Sequence, residues 1–432
     1  EVMYTLELGI ITAGFLFMSL LVLGTLVFGR FFCSWACHIM VLQELCAWVL
    51  RKLGIRRKPI RSRLLLLVPL GTAFYMFIWP QILRAWQAKA FPEFHFRTDS
   101  EGWASFVTSN FWRNLPSAPI IVLTFLVCGF LMVYLLGSRT FCTYVCPYGA
   151  IFALADRFSP GRLRANEKCR QCGTCTSTCT SGIRVHEELK EHGAVINSAC
   201  LKCMDCVSAC PQDALHYRFT APPVLKTLRG AGRFGGLPYD FSLREEALMA
   251  VVFLAVALSF RGLYSRIPFL LSLALGAIVA VLTVTTLRLR YQPTVLLSSI
   301  VLRRNSRLTR IGKAYAAFAA MLMLFVCHCA FVRYHEYFGL RQALSLDKAG
   351  AAEADSSLAE RALTHLHTAD QWGLMANERV QRSLVDVSLR LKRLDTAEAY
   401  ARKLIHDHPD DGVSRLKLGQ ILIDQGRHAQ AA

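Results

Sequence analysis

Long stretches without a charged residue constrain this chain more than anything else in it. A helix crossing about 30 Å of hydrocarbon needs roughly 20 mostly apolar residues, because no water is there to satisfy stray backbone groups. Six candidates occur. Segments 8–29, 64–83, 114–138 and 267–287 are each uncharged throughout, as is the slightly shorter 314–332. Segment 247–260 is the shortest, and lengthens if Arg261 extends its side chain to the interface. With 54% hydrophobic and 18% charged residues, the chain matches neither an ordinary soluble enzyme nor a disordered basic tail.

The charge that remains is unevenly placed. Segment 30–63 carries eight Lys/Arg and one acid, and segment 288–313 carries seven and none, whereas 84–113 holds four against three acids. Positive loops stay on the cytoplasmic side. Six spans then put both chain ends outside and segment 139–246 inside. The formal +19 therefore reads as membrane sidedness and contact with anionic lipid, most of all along 51–63, rather than as a nucleic-acid footprint. The chain starts at Glu1 rather than at Met and stops within a helical pattern at Ala432, so both ends are expected to be trimmed. No cleavable signal can be read.

Twelve of the sixteen cysteines fall into ordered motifs in the segments expected inside. Cys169, Cys172, Cys175 and Cys179 follow C-x2-C-x2-C-x3-C, and the spacing recurs at Cys200, Cys203, Cys206 and Cys210, followed by Pro211. Three thiolates on such a loop wrap one 4Fe-4S cubane, and the fourth cysteine reaches the other. One cluster then takes Cys169, Cys172, Cys175 and Cys210, and its partner takes Cys200, Cys203, Cys206 and Cys179. Structural zinc is the alternative, but it prefers cysteine pairs separated by longer gaps. The segment Asn166 to Phe219 resembles bacterial two-cluster ferredoxins. It departs from them at Thr180, where proline usually follows the fourth cysteine, and in the longer excursion between Cys179 and Cys200.

A second constellation comes from an internal repeat. Arg30-Phe31-Phe32-Cys33-Ser34-Trp35-Ala36-Cys37 and Arg139-Thr140-Phe141-Cys142-Thr143-Tyr144-Val145-Cys146 align with the arginine, the phenylalanine before the first cysteine and both cysteines identical, each directly after a span. Cysteines at i and i+4 share one helix face, so two such pairs meeting across a pseudo-two-fold axis would offer four thiolates to a further iron–sulfur or metal centre. Buried, inert thiols are the competing reading. A covalent haem at Cys33, Cys37 and His38 is disfavoured by the three intervening positions, where attachment motifs have two.

Two C-x3-C motifs, the second continuing Cys146-Pro147-Tyr148-Gly149-Ala150 into paired ferredoxin runs, resemble the polytopic membrane ferredoxins of the NosR/NapH group and the related CcoG-type oxidase-assembly proteins. The resemblance spans about Gly9 to Phe219. It implies a membrane electron-transfer component, in the NapH case one that oxidises quinol for a periplasmic reductase pathway. Here Cys37 is followed by His38 where the family has proline, and no periplasmic flavin-binding domain is recognisable in the sequence.

Beyond position 332 the composition turns soluble, with 14 basic and 14 acidic residues. The separation of Ala397 from Ala431 equals the tetratricopeptide period, which suggests a helical-repeat domain or a generic helical hairpin. Cys46, Cys128 and Cys327-His328-Cys329 read as packing, and His186, His192 and His216 as solvated surface. Trp103, Phe111 and Trp112 read as an interfacial aromatic belt.

The expectation is a mainly α protein of the bacterial inner membrane: a six-helix transmembrane bundle, an inserted α+β two-cluster ferredoxin module facing the cytoplasm, and a periplasmic C-terminal α-helical repeat domain. The domains are 1–165, 166–220, 221–332 and 333–432. Function is electron relay between the quinone pool and redox partner subunits, periplasmic cytochromes or reductases, docked through the repeat domain. No residue is assigned to catalysis, and no nucleic acid is expected as partner. A CcoG-like assembly or metal-reductase role and a non-redox scaffold with structural clusters are the alternatives. A phosphatase fused after Ala432 should be active and a fluorescent protein there dark; the reverse result would sink the topology.

Overall fold

Capping residues decide where the apolar stretches begin as helices. Thr12 accepts the Phe15 N–H at 3.2 Å to start α1 (Ala13–Phe28), and Ser62 accepts the Leu65 N–H at 3.3 Å to start α4 (Arg63–Arg84). Between them lie a one-turn helix, α2 (Phe31–Trp35), and α3 (His38–Lys52). The computed structural model describes residues 5, 9–55, 60–88, 94–96, 118–224, 239–297, 300–349, 356–407 and 412–428. Trp103, Phe111, Trp112, Pro409 and Ala431 lie outside the described residues, as does the middle of the basic segment 51–63.

By contact the chain divides into two units, residues 1–252 with 273–309, and residues 253–272 with 310–432. In the first, the duplicated segments fold alike. Helix α5 (Ala118–Leu136) precedes a second one-turn helix, α6 (Thr140–Tyr144), and then α7 (Pro147–Phe158). Each long helix ends at a left-handed glycine, Gly29 at φ +80° and Gly137 at φ +106°, so the chain turns sharply into the motif. Packing is reciprocal: α3, after the first motif, lies on α5, and α7, after the second, lies on α1. Helices α4 and α5 each contain a π-helical turn, at Phe74–Ile78 and Phe125–Leu131.

The ferredoxin module opens with β1 (Gly161–Ala165), paired antiparallel with β2 (Leu215–Phe219) so that Gly161 faces Phe219 and Ala165 faces Leu215. The strand that partners β2 thus lies just before the expected boundary of 166. Helices α8 (Thr174–Thr178), α9 (Val185–His192) and α10 (Asp205–Ser208) lie between the strands. The long excursion before Cys200 forms α9, which sends Val185 and Leu189 into the module's core beside Leu163, Val195 and Leu215.

Helices α11 (Leu243–Phe260) and α12 (Phe269–Tyr291) each contribute to both units. A small antiparallel sheet, β3 (Val295–Leu297), β4 (Ile300–Arg304) and β5 (Arg307–Leu308), precedes the 40-residue α13 (Arg310–Ala349). That helix runs unbroken through the boundary expected at 332/333, since no proline or glycine pair interrupts it and its far end packs on α14 (Ser356–Trp372). Helices α15 (Glu378–Arg390), α16 (Leu394–Asp407) and α17 (Gly412–Asp424) follow, each packed on the one before. Ala397 and Ala401 are fully buried where α15, α16 and α17 meet.

Four of the described helices are long and apolar enough to cross a membrane: α4, α5, α12 and α13. The other two expected spans are helical but fall short. Helix α1 has 16 residues, and α11 carries Arg244, Glu245 and Glu246 in its first turn.

One buried ionic group ties the first unit together. Asp156, at the end of α7, receives Arg162 Nη1 at 2.8 Å and Lys202 Nζ at 3.2 Å, and all three side chains are at most 1% exposed. Gly29 packs over the group; a Cβ there would stand 2.7 Å from Asp156 Oδ1 and 2.8 Å from Lys202 Cε. Asp156→Asn leaves two cations buried against a neutral amide, so a loss of about 3–5 kcal/mol is expected, read as a lower thermal midpoint in detergent. An unchanged midpoint would mean that water reaches the group.

Candidate functional site

The two C-x2-C-x2-C loops share an unusual backbone. In each, the residues on either side of the middle cysteine are left-handed: Gln171 at φ +53° and Gly173 at +80° around Cys172, Lys202 at +56° and Met204 at +66° around Cys203. Three of these four are not glycine, and non-glycine residues held there mark strain that the surroundings must sustain. The curl turns successive cysteines inward. Cys169, Cys172, Cys175 and Cys210 line one cavity, together with His186 and Leu189. Cys206 lies within electrostatic reach of Cys200, Cys203 and Cys179, and also of Cys175 from the other set. Both predicted groupings therefore appear as neighbours in space, side by side.

The sets differ in exposure. Cys172 is exposed, and its thiol is lowered by hydrogen bonding to Thr174. Burial pushes Cys203 up to about 11 and Cys206 up to about 12. Such thiols stay protonated at neutral pH unless a cation takes the proton's place.

The four C-x3-C thiols also converge, but not as one helix face each. Cys33 and Cys142 sit in the one-turn helices, which end at Trp35 and Tyr144. Cys37 and Cys146 are instead the extended N-caps of α3 and α7. The i, i+4 expectation is corrected accordingly: a chain break redirects the second sulfur of each pair. Cys142 lies within electrostatic reach of Cys146, Cys33 and Cys37. Cys33 and Cys142 are buried in one cluster with Met40, Phe152 and Leu201, and Cys37 and Tyr148 pack against it. Burial raises Cys33 and, further, Cys142, and pushes Cys146 up to about 11, where the Gly149 and Tyr148 N–H groups act in the other direction. Gly149 is required here, since a Cβ would meet the Cys142 carbonyl at 2.5 Å.

The second cysteine loop is docked on the first C-x3-C motif. Ser34 Oγ donates to Leu201 O at 2.6 Å, Trp35 Nε1 to Lys202 O at 3.2 Å and Arg30 Nη1 to Ser198 O at 2.9 Å. Arg139 donates to Glu44 at 2.9 Å and Asp205 at 3.1 Å, and Cys203 lies within its electrostatic reach.

All sixteen cysteines are free of disulfides. Among the described residues no group of three or more His, Cys, Asp or Glu closes tightly enough for a single metal ion. The doubled C-x2-C-x2-C-x3-C spacing fits a cluster better than structural zinc, which prefers cysteine pairs separated by longer gaps. Comparison with known families agrees. A profile described as a 4Fe-4S binding domain matches residues 10–56 and again 119–166, each including one C-x3-C motif, and a 4Fe-4S dicluster domain matches 168–215. The chain thus carries 4Fe-4S binding domains of the ferredoxin type together with four described helices long and apolar enough to cross a membrane.

Among its relatives are the putative electron transport protein YccM of Escherichia coli (29% identical, covering 46% of this chain and 54% of that protein) and the ferredoxin-type protein NapH of Haemophilus influenzae (25%, covering 49% and 68%). The methylamine utilization ferredoxin-type protein MauN of Methylobacillus flagellatus is 26% identical over 39% of this chain and 52% of its own. The chain thus spans about half the length of the first and last of these. No solved structure matches it significantly.

Sequence reading passed over four participants. Arg30 and Arg139 occupy the same place in the repeated motif, which was a usable signal. His186, expected as solvated surface, lines the Cys172 cavity and bonds Thr176 Oγ1 at 2.7 Å. Lys202 lies inside the second cysteine loop, and only the fold shows it buried. Cys46 and Cys128 are buried in the core, as expected. Because Gln171 is exposed and left-handed, Gln171→Gly should keep full iron content and gain about 1 kcal/mol, whereas Gln171→Val should lose iron. Equal iron in both variants would show that the loop tolerates other conformations.

Proposed function

We propose that this protein relays single electrons through a membrane-bound chain of iron–sulfur centres. Cys169, Cys172, Cys175 and Cys210 hold one 4Fe-4S cluster, and Cys179, Cys200, Cys203 and Cys206 hold the other. The thiols of Cys33, Cys37, Cys142 and Cys146 hold a further redox centre at the ends of the membrane helices. Bound clusters supply one-electron transfer without bond making or proton movement at carbon. The protein's own residues set the spacing, keep water from Cys200 and Cys206, and leave Cys172 open to a partner.

The observation that carries this reading is continuity. A cysteine set with one exposed member, Cys172, lies within electrostatic reach of a set with none, and the loop of that second set is hydrogen-bonded through Ser34, Trp35 and Arg139 to the helix ends that bear the C-x3-C thiols. Quinol or quinone within the membrane is the electron partner on that side, and redox subunits are the partners elsewhere. The basic segments 30–63 and 288–313 face the cytoplasm, α1 and α11 complete six spans, and the stacked helices α14–α17 form a tetratricopeptide-like docking surface on the opposite side.

Iron and sulfide analysis of the purified protein tests the proposal. Two clusters require about eight irons, so distinctly more than eight are expected, falling to about eight in Cys33→Ser or Cys142→Ser. Retention of every iron in both variants would remove the third centre, and fewer than eight in the unsubstituted protein would remove the relay.

A further inference from the structure

The repeated arginines do different work. Arg30 lies among the C-x3-C motifs, within electrostatic reach of Cys33 and 3.6 Å from the Cβ position of Gly149 beside the other motif, while donating to Ser198 O. Arg139 turns away from the C-x3-C thiols and reaches the ferredoxin loop. It occupies a left-handed backbone position, φ +62°, and is 4% exposed. Glu44 and Asp205 grip its Nε and Nη2, and Cys203 and Cys179 lie within its electrostatic reach.

This grip is asymmetric with respect to water. The carboxylate side chains of Glu44 and Asp205 are 33% and 41% exposed, against 5% for the Arg139 side chain. Solvent therefore screens the anions more than the cation, and the cation faces the sulfur. Arg61 is also within electrostatic reach of Cys179, and Lys202 is buried between Cys200 and Cys203. Beside the other cysteine set, the cation lining the cavity is Arg170, which is exposed and so surrounded by water.

We propose that Arg139 is a positioning residue that sets the reduction potential of the cluster at Cys179, Cys200, Cys203 and Cys206, raising it above what those four thiolates alone would give. The inference rests on the ligand sets proposed above. Four thiolates give such a site net negative charge, and an added electron deepens it. Net charge, hydrogen bonds to sulfur and exposure are the levers on such potentials. Arg139 supplies the first directly, as a buried cation held by Asp205 beside the Cys203 loop. An electron exchanged between the two sets oxidises one and reduces the other by one unit, with no bond formed or broken. Arg139 biases that exchange toward the set docked on the membrane helices.

The test is an EPR-monitored redox titration of the full-length protein in detergent with its clusters in place. Cys172→Ser and Cys203→Ser identify, by loss or change of a signal, which signal belongs to which set. In Arg139→Gln the signal marked by Cys203 should move negative by about tenfold in its reduction constant, which is 59 mV for one electron, and the signal marked by Cys172 should stay. Arg139→Lys, which keeps the charge and loses the planar fork, should shift part of the way, and Arg170→Gln should move neither signal. An unmoved Cys203 signal in Arg139→Gln, or equal shifts of both signals, overturns the inference. If Arg139→Gln fails to keep the second cluster, Arg139→Lys decides alone, and no shift there overturns it. Fewer than two clusters in the unsubstituted protein would instead refute the ligand sets, a result distinct from unmoved potentials.

Discussion

The buried carboxylate of Asp156 is the point on which the first unit depends. It stands at the end of the helix that follows the second C-x3-C motif, and it binds Arg162 from the first ferredoxin strand and Lys202 from the second cysteine loop. The second cysteine loop is thereby fixed to the junction between that helix and the strand that follows it. Removing three charges from water is costly, and a buried ion group is seldom a net source of stability. Its value lies in specification, since each cation has one acceptable position. The close approach of Gly29, where even a methyl group would collide, ties the end of the first apolar helix to the same place.

Around this point the duplication produces a site that neither half contains. Each half supplies a long helix, a left-handed glycine, a single helical turn and a new helix capped by cysteine. The halves exchange partners, with the helix after each motif lying on the long helix before the other. Four thiols converge as a result. The copies have then diverged in their outward contacts. In the first, Arg30, Ser34 and Trp35 hold the loop around Cys200, and in the second, Arg139 reaches Cys203. The ferredoxin module is therefore seated on the duplicated hairpins by its inner cysteine set, with its outer set left toward solvent.

Much of this was legible from residues alone. The doubled C-x2-C-x2-C-x3-C run suggested two ligand groupings by the rule that the fourth cysteine of each run serves the other cluster, and Cys169, Cys172, Cys175 and Cys210 line one cavity. The repeated pattern of an arginine followed by C-x3-C located both membrane-end motifs. Less legible were the helix breaks after Trp35 and Tyr144: nothing in such short segments, rich in aromatic and hydroxyl side chains, announces that the helix will stop, and the stop follows from packing. The expected domain break at 332/333 failed for a related reason. Composition changes there, but α13 continues, because a helix ends where its hydrogen bonds lose partners and not where its surroundings change from apolar to polar.

The sequence by itself determined the apolar helices, the two cysteine runs, the duplicated motif and the uneven distribution of charge, all of which depend on local spacing and composition. Tertiary structure decided which arginine meets which thiol, that Lys202 is buried on Asp156, and that His186 lines a cysteine cavity. These are contacts between residues far apart in the chain, and they follow from how the duplicated helices exchange partners. Periodicity along a chain carries no record of such an exchange, because the same spacing serves equally well whichever neighbour the helix finds.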